Sequence, residues 1–210
     1  LLSSAASDVY KRQILKKNNL PIFPLELVAL PGTIQNLQIF EPRYIDMVKR
    51  CMEDNHGFVI TFQKQLLKKD GYEISKKGAY VEIIDFNNLR NGLLGLTVKS
   101  IDKVSIKNII RLEDGLNIAD IYPIIDPEVD DQALLAEFPE ISNILSQIIK
   151  HPRVADMQIS VDFNSADSVA YHLAGLIPLS WNNKQHLLEA FDASQRMSIL
   201  SKYIQDISSK

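Results

Sequence analysis

The hexapeptide IFEPRY at residues 39–44 places two apolar residues, an acid, a proline, a base and an aromatic residue in six consecutive positions. Pro42 suits the first position of a helix, because the amide hydrogen that proline lacks would have had no acceptor there. Glu41, one position earlier, complements the positive end of a helix. The hexapeptide therefore predicts that a helix begins here, and the apolar residues before Glu41 predict that a strand ends here.

The helix that begins at Pro42 is expected to run to about residue 55 and to pack on the strands through one apolar stripe. Ile39 and Phe40 are expected to end the preceding strand inside the core. We expect Glu41 and Arg43 to join this corner by hydrogen bonds or a salt bridge, rather than to act as an acid–base pair. The stripe consists of Tyr44, Val48 and Cys51, with Ile45 and Met52 beside them.

Outside this helix, residues 20–123 consist of short β-type runs separated by turn dipeptides. Many short strands with turns between them are typical of a small barrel or sandwich. The runs predict strands at residues 20–23, 37–40, 58–62, 79–86, 93–99, 102–107 and 116–122. The turn dipeptides, whose residues accept a positive φ, are Pro31-Gly32, Asp70-Gly71, Asn87-Asn88, Asn91-Gly92 and Asp114-Gly115.

The period changes after residue 122, where IYPIIDPEVDD carries two prolines and four acids and predicts a connecting segment. Apolar residues then recur at helical spacing and predict about four helical elements. Pro139 either kinks the first element or begins its second half. Pro178 ends the second, the third covers about 181–190, and Asp192 with Gln195 has capping-box spacing at the start of the last. The predicted α+β chain has a non-native or disordered leader at 1–13, a β subdomain at 14–125 and a helical subdomain at 126–210.

The composition excludes several classes of protein. With 46% hydrophobic and 23% charged residues, the 210-residue chain is able to bury a sizeable core. Its net charge of -3 gives no global attraction to nucleic acid or to an anionic membrane. No apolar run is long enough to span a bilayer, so we expect no membrane association. The single cysteine, Cys51, fits a reducing compartment, and we expect a cytoplasmic protein.

The sequence contains no motif for catalysis or cofactor binding. It has no Gly-rich nucleotide loop, no H-E-x-x-H and no G-x-S-x-G nucleophile turn. His56, His151, His172 and His186 lack the spacing of metal ligands. Cys51 lies on an apolar stripe, where a thiol behaves as a small hydrophobic group. We therefore expect neither an enzyme nor a cofactor or metal site.

The order of these signals resembles one known family. The segment LPIFPLELVALPGTIQNLQIFEPRYIDMV at residues 20–48 is similar to the start of the substrate-binding (LON) domain, which is found at the N-terminus of the ATP-dependent protease Lon, in free-standing bacterial relatives and in cereblon. The similarity includes the P-I-F-P-L strand, the turn at Pro31 and Gly32, and the entry of IFEPRY into a helix. GAYVEIIDF and LLGLTVKSIDKVSI fit the central hairpins, and residues 170–204 look like the closing helices.

The resemblance implies a PUA-like β pseudobarrel with one packed helix, followed by a C-terminal helical bundle. It also implies a non-catalytic module of protein quality control that binds unfolded or damaged polypeptide, or that acts as an adaptor to a partner protease. Because residue 210 directly follows the last predicted helix, we expect the ATPase and Ser–Lys protease of Lon to be absent and the chain to have no peptidase activity.

Exposed apolar groups near the turns and on the helical face are the expected contacts with polypeptide. Phe23, Leu25, Phe62 and Tyr72 are candidates, and each has the alternative of an ordinary core or strand-pair residue. Trp181, the one tryptophan, is either an exposed anchor or a packing residue of a first helical turn.

The alternative function is RNA binding, because PUA-like barrels also occur in proteins that handle RNA. Lysines at 64, 68, 69, 76 and 77 gather around the predicted Asp70-Gly71 turn, where they would meet a phosphate backbone. The interleaved Asp70 and Glu73 favour instead a solvated hairpin tip whose lysines protect an edge strand. Binding of nucleic acid is therefore not the favoured expectation.

Overall fold

The computed structural model describes residues 17–65, 71–90, 93–157 and 159–208. These residues form a mixed α+β structure with six strands and seven helices. Contacts divide them into a first unit, residues 17–29 with Ile34–Ile124, and a second unit, Leu30–Thr33 with residues 125–208. The leader predicted at 1–13 and the predicted turn residues Asp70, Asn91 and Gly92 lie outside the described residues.

The first unit is built on one six-stranded sheet with the order β2-β5-β4-β3-β1-β6. Strand β6 pairs with both β1 and β5, so five of the strands form a closed ring. The pairing of β1 with β3 is parallel and the other pairings are antiparallel. The strands are β1 (Lys17–Leu25), β2 (Ile34–Ile39), β3 (Phe58–Gln65), β4 (Tyr72–Asn88), β5 (Leu94–Arg111) and β6 (Asn117–Pro123).

Two of the predicted strand boundaries are wrong. The runs predicted at 93–99 and 102–107 are one strand, β5, because Ser100 and Asp102 pair with Val81 and Tyr80 of β4 on either side of a bulge at Ile101. The Asn87-Asn88 dipeptide is not a turn but the end of β4, where it pairs with β5. Long-range pairing therefore overrides the local turn preference of both polar segments.

Helix α1 (Pro42–Glu53) covers the sheet as the apolar stripe predicts, with Tyr44, Val48 and Cys51 buried. The prediction for Phe40 is wrong, because its side chain is 66% exposed whereas Ile39 is buried. Alternate residues of a strand point to opposite faces. Leu37 and Ile39 point inward along β2, so Phe40 falls on the outward side just before the helix begins.

The second unit consists of six helices and the Leu30–Thr33 turn. Its helices are α2 (Asp131–Glu137), α3 (Pro139–Ile149), α4 (Pro152–Ala155), α5 (Ala166–Leu176), α6 (Trp181–Glu189) and α7 (Ala193–Ser208). Pro139 begins a separate helix, as one of its two predicted roles required. Side chains of Asp130, Ser165 and Ser180 accept amide hydrogens in the first turns of α2, α5 and α6. Helix α5 is central, because it contacts α2, α3, α6 and α7.

The Pro31-Gly32 turn is present, with Gly32 at a φ of +82°. A Cβ atom there would lie 3.0 Å from Cε1 of His172 on α5, so glycine meets both the backbone and the packing demand. The predicted subdomain division put this turn with the strands, whereas its contacts group it with the helices. The predicted Asp114-Gly115 turn is also present, with Gly115 at a φ of +83°.

Candidate functional site

The IFEPRY hexapeptide forms a tied corner at the start of α1. Glu41 Oε2 accepts from Arg43 Nη2 at 2.7 Å, which confirms the predicted link between these side chains. Arg43 Nη1 also donates to the carbonyl of Gly115 at 2.8 Å, and its guanidinium lies 4.7 Å from the centre of the Tyr44 ring. The Tyr44 ring in turn lies 4.0 Å from that of Phe23. The corner therefore fixes the helix start to the strands.

We expect Glu41→Ala to lower the free energy of unfolding by about 0.5–1 kcal/mol, because the lost ion pair is partly exposed. Urea unfolding of the purified domain measures the change. Glu113→Ala, which removes a carboxylate from the neighbouring turn, is the control and should have a smaller effect. An unchanged melting temperature together with lost polypeptide binding would show that Glu41 is a contact residue and not a structural one.

An open cleft of about 430 Å³ adjoins this corner and contains one predicted contact residue on its surface, Tyr72. The Tyr72 side chain is 58% exposed. The cleft is lined by Pro24, Arg43, Tyr44, Gln63, Tyr72, Ile74, Arg111 and Asn117.

The structure does not bring the other strand candidates to the surface. Phe23 and Phe62 are buried, so the expectation that they are exposed contacts is corrected to the core role given as their alternative. Leu25 is half-buried and packs against the same core cluster as Phe23. The pairing of β1 with β3 makes Leu25 and Phe62 neighbours.

A second depression, which we call the Phe86 groove, runs between the end of α1 and the last part of β4. Its volume is about 570 Å³, and it is lined by Cys51, Met52, Asn55, His56, Gly57, Glu82, Ile83, Ile84, Asp85 and Phe86. Met52, Ile84 and Phe86 are each about half exposed, at 42%, 51% and 53%. Three large apolar side chains thus share one open depression.

The groove exists because β4 continues beyond the end of its pairing with β3. Pairing between β3 and β4 ends at Phe58 and Val81, and among the described residues the register of β4 beyond Val81 includes only β5. A bulge between Ile83 and Asp85 leaves Ile84 without an opposite residue. Bulges redirect side chains, and Ile84, Asp85 and Phe86 are all exposed in succession.

The electrostatic character of the groove is acidic. Glu82 and Asp85 contribute carboxylates, and none of the described residues that line the groove is lysine or arginine. The Phe86 amide donates to Asp85 Oδ1 at 2.9 Å. His56 Nδ1 is 2.7 Å from the Gly57 carbonyl, and its Nε2 is 3.8 Å from Asp54.

Cys51 lies at the inner wall of the groove but is itself buried. Burial is the main cause that raises the pKa of its thiol to about 11. The thiolate is the nucleophilic form, so the thiol is nearly all protonated at neutral pH. The structure therefore agrees with the packing role predicted for Cys51.

The second unit carries its own exposed aromatic residues. Trp181 begins α6 and is 41% exposed, with Lys184 Nζ 4.9 Å from the ring centre. The same ammonium donates to the Gly175 carbonyl at 3.3 Å, and burial lowers the pKa of Lys184. Phe191, between α6 and α7, is also exposed. The Trp181 ring is thus partly exposed and in contact with Lys184, and its role as an anchor for polypeptide stays a prediction.

A buried charge cluster in the same unit centres on Arg196 of α7. Its side chain donates to Asp167 and Asp126, to the latter at 2.7 Å, and Nε donates to the Leu187 carbonyl at 3.1 Å. The guanidinium lies 4.4 Å from the centre of the Tyr171 ring, and burial raises the pKa of that phenol. These partners lie on α5, on α6 and in the segment before α2, all within the second unit, so the cluster is structural.

The described residues contain no group of three or more His, Cys, Asp or Glu side chains that would hold a metal ion. Among the described helices, none is long and apolar enough to cross a membrane. Of the predicted lysine cluster, residues 68 and 69 lie outside the described part of the chain, and Lys64 pairs across the strands with Glu73.

The Phe86 groove was missed by sequence reasoning, although a signal for it is present. The run 82–88 mixes acidic and large apolar residues, EIIDFNN, where a half-buried strand would alternate them. A strand that ends in such a run is a candidate for a surface bulge. Without the register of β3, however, the sequence does not show that one edge of this run is open.

A family model described as the ATP-dependent protease La (LON) substrate-binding domain matches residues 19–206. Lon protease 1 of Bacillus subtilis is 25% identical over 197 residues, which is 90% of this chain and 25% of that protein. Lon protease of Brevibacillus choshinensis is 21% identical over 193 residues, or 88% of this chain and 24% of that protein. The chain thus spans about a quarter of the length of these curated relatives.

Two solved structures have the same fold. A Lon N-terminal domain protein from Xanthomonas campestris matches with a TM-score of 0.69 and 25% identity, covering 89% of this chain and 99% of that one. The N-terminal domain of Mycobacterium avium complex Lon protease matches with a TM-score of 0.66 and 15% identity, covering 90% and 98%. The motif order, the fold and the family match over residues 19–206 agree, and the chain belongs to the LON substrate-binding domain family.

Proposed function

We propose that this domain recognises unfolded or damaged polypeptide without cutting it, or acts as an adaptor that delivers it to a partner protease. Membership of a substrate-binding family supports a recognition role. We also propose that the first unit is a PUA-like pseudobarrel and the second a helical bundle, with subdomains at 14–125 and 126–210. The single free thiol, Cys51, supports a reducing compartment such as the cytoplasm.

The observation that carries the proposal is the Phe86 groove. Unfolded chains differ from folded ones mainly in the apolar side chains that they expose, so a receptor for them needs accessible apolar surface. Met52, Ile84 and Phe86 supply such surface in one depression. Tyr72 and Trp181 remain proposed contacts because both are exposed, whereas Phe23 and Phe62 are buried.

We expect the double variant Ile84→Ser with Phe86→Ser to bind an unfolded model protein about tenfold more weakly, because two half-exposed apolar side chains no longer contribute to burial. The probe is a reduced, alkylated and fluorescently labelled model protein that cannot refold. Fluorescence anisotropy with the purified domain gives Kd for each variant.

The matched control is Ile34→Ser with Phe40→Ser, which makes the same two chemical changes on exposed residues outside the groove. It should leave Kd unchanged. Tyr72→Ser and Trp181→Ser, measured in the same assay, test the other proposed contacts. If the wild-type domain forms no complex with the unfolded protein at micromolar concentrations, the proposed function is wrong.

A further inference from the structure

Among the described residues, the last part of β4 has a strand partner along one edge only, and its other edge adjoins the Phe86 groove. Residues 82–88 pair with β5 on one side, while the β3 pairing ends at Phe58 and Val81. We propose that an extended polypeptide segment with alternating apolar and basic residues binds here as an added strand along β4. This inference rests on the proposed function and specifies the substrate class and binding mode for it.

The backbone favours an extended occupant. Successive residues of a paired strand direct their amide and carbonyl groups alternately to the two sides, so a strand with one partner keeps free groups along its other edge. An incoming segment would form hydrogen bonds with this edge in the way that peptides extend existing sheets. It would continue the line of β3, which begins only at Phe58.

The side chains of the groove favour apolar residues at alternate positions of the occupant. Met52 approaches from the end of α1, while Ile84 and Phe86 come from β4 itself. An extended segment presents every second side chain to the same face. Its apolar residues would therefore cover these three side chains, and its intervening residues would lie outside the apolar floor.

The charges of the groove select the intervening residues. Glu82 and Asp85 are exposed carboxylates, whereas the described lining residues include no lysine or arginine. Lys99 lies opposite Glu82 across the strands, and Asp54 lies beside His56 at the groove end. Lysine or arginine in the occupant would complement the carboxylates of Glu82 and Asp85, and these carboxylates would repel acidic residues.

The test uses the intact domain and three labelled peptides of about ten residues, each with the same apolar residues at alternate positions. The intervening positions hold lysine, glutamine or glutamate. We expect the lysine peptide to bind about three- to tenfold more tightly than the glutamine peptide, and the glutamate peptide to bind most weakly. High salt should remove the difference between the lysine and glutamine peptides.

Two sets of variants separate charge from strand addition. Glu82→Gln with Asp85→Asn should abolish the preference for lysine but leave the glutamine peptide unchanged, since the amide side chain introduced at position 85 keeps an acceptor for the Phe86 amide. Glu113→Gln with Asp114→Asn is the matched control and should keep the preference. Methylation of alternate backbone nitrogens on one edge of the lysine peptide should abolish binding, and on the other edge should not.

Equal affinity for the three peptides would overturn the charge selection, and equal tolerance of the two methylated edges would overturn strand addition. If the unfolded model protein binds but the peptides show neither effect, this inference fails and the proposed function stands. If neither the unfolded protein nor any peptide binds, both fail.

Discussion

Arg196→Leu is expected to lower the free energy of unfolding by about 3–5 kcal/mol, because it leaves the carboxylates of Asp126 and Asp167 without their buried cation. The Arg196 side chain has no exposed surface, and it also donates to the Leu187 carbonyl. Burial of a charge is tolerable only when its partners are complete. Urea unfolding followed by the fluorescence of Trp181, the one tryptophan of the chain, reports on the unit that contains the cluster.

Two further variants show whether the loss comes from the charges of the two carboxylates that face Arg196. Adding Asp126→Asn and Asp167→Asn to Arg196→Leu removes the two carboxylate charges and should recover part of the lost stability. Lys202→Leu, an exposed change on the same helix, should alter stability by less than about 0.5 kcal/mol. If Arg196→Leu is as mild as Lys202→Leu, the cluster does not stabilise the helical unit.

The features that local chemistry determines are the ones that sequence reasoning predicts. Pro42 begins α1 and Pro139 begins α3, because proline fits a first helical turn and disfavours the interior. Gly32 and Gly115 turn the chain with positive φ. The stripe of α1 is buried as its spacing indicates. These predictions need no knowledge of which strands pair.

Sequence reasoning misses the features that depend on the register of strand pairing. Phe40 is exposed because β2 ends one residue earlier, and β5 continues through a polar segment because it takes up one extra residue, Ile101, as a bulge and keeps pairing with β4 on both sides of it. The Phe86 groove likewise depends on the point at which β3 stops pairing with β4. The partners of Arg196 are up to 70 residues away in the chain, so spacing does not reveal them. The candidate site is therefore harder to predict than the fold.

The recognition surface proposed here lies where the sheet is least regular. The bulge at Ile84 and the late start of β3 at Phe58 both remove strand pairing, and apolar groups are exposed beside the edge of β4 that β3 does not reach. Exposed apolar strand edges carry a risk of association. The carboxylates of Glu82 and Asp85 limit that risk for acidic strands while admitting basic ones. The same two carboxylates thus select a basic occupant and protect the strand edge from unwanted association.

Gly57→Ala is expected to lower the free energy of unfolding by about 3 kcal/mol, because the added methyl group has no space. A Cβ atom at Gly57 would lie 1.8 Å from the carbonyl oxygen of Val81, a backbone atom that cannot rotate away. The Gly57 amide also donates to the Tyr80 hydroxyl at 2.7 Å, so the chain cannot easily retreat from β4. Urea unfolding measures the loss.

Gly175→Ala provides the control for this substitution. A Cβ atom there meets only Thr33 at 3.6 Å, and alanine suits a helix better than glycine by about 1 kcal/mol, so stability should stay equal or rise.

The close approach at Gly57 also sets where β3 begins beside Val81 and hence where the open edge of β4 starts. Gly57→Ala should therefore weaken binding of the lysine peptide even under conditions in which the variant is folded. If this variant keeps wild-type stability and binding, the groove does not depend on the close approach of Gly57 to the Val81 carbonyl.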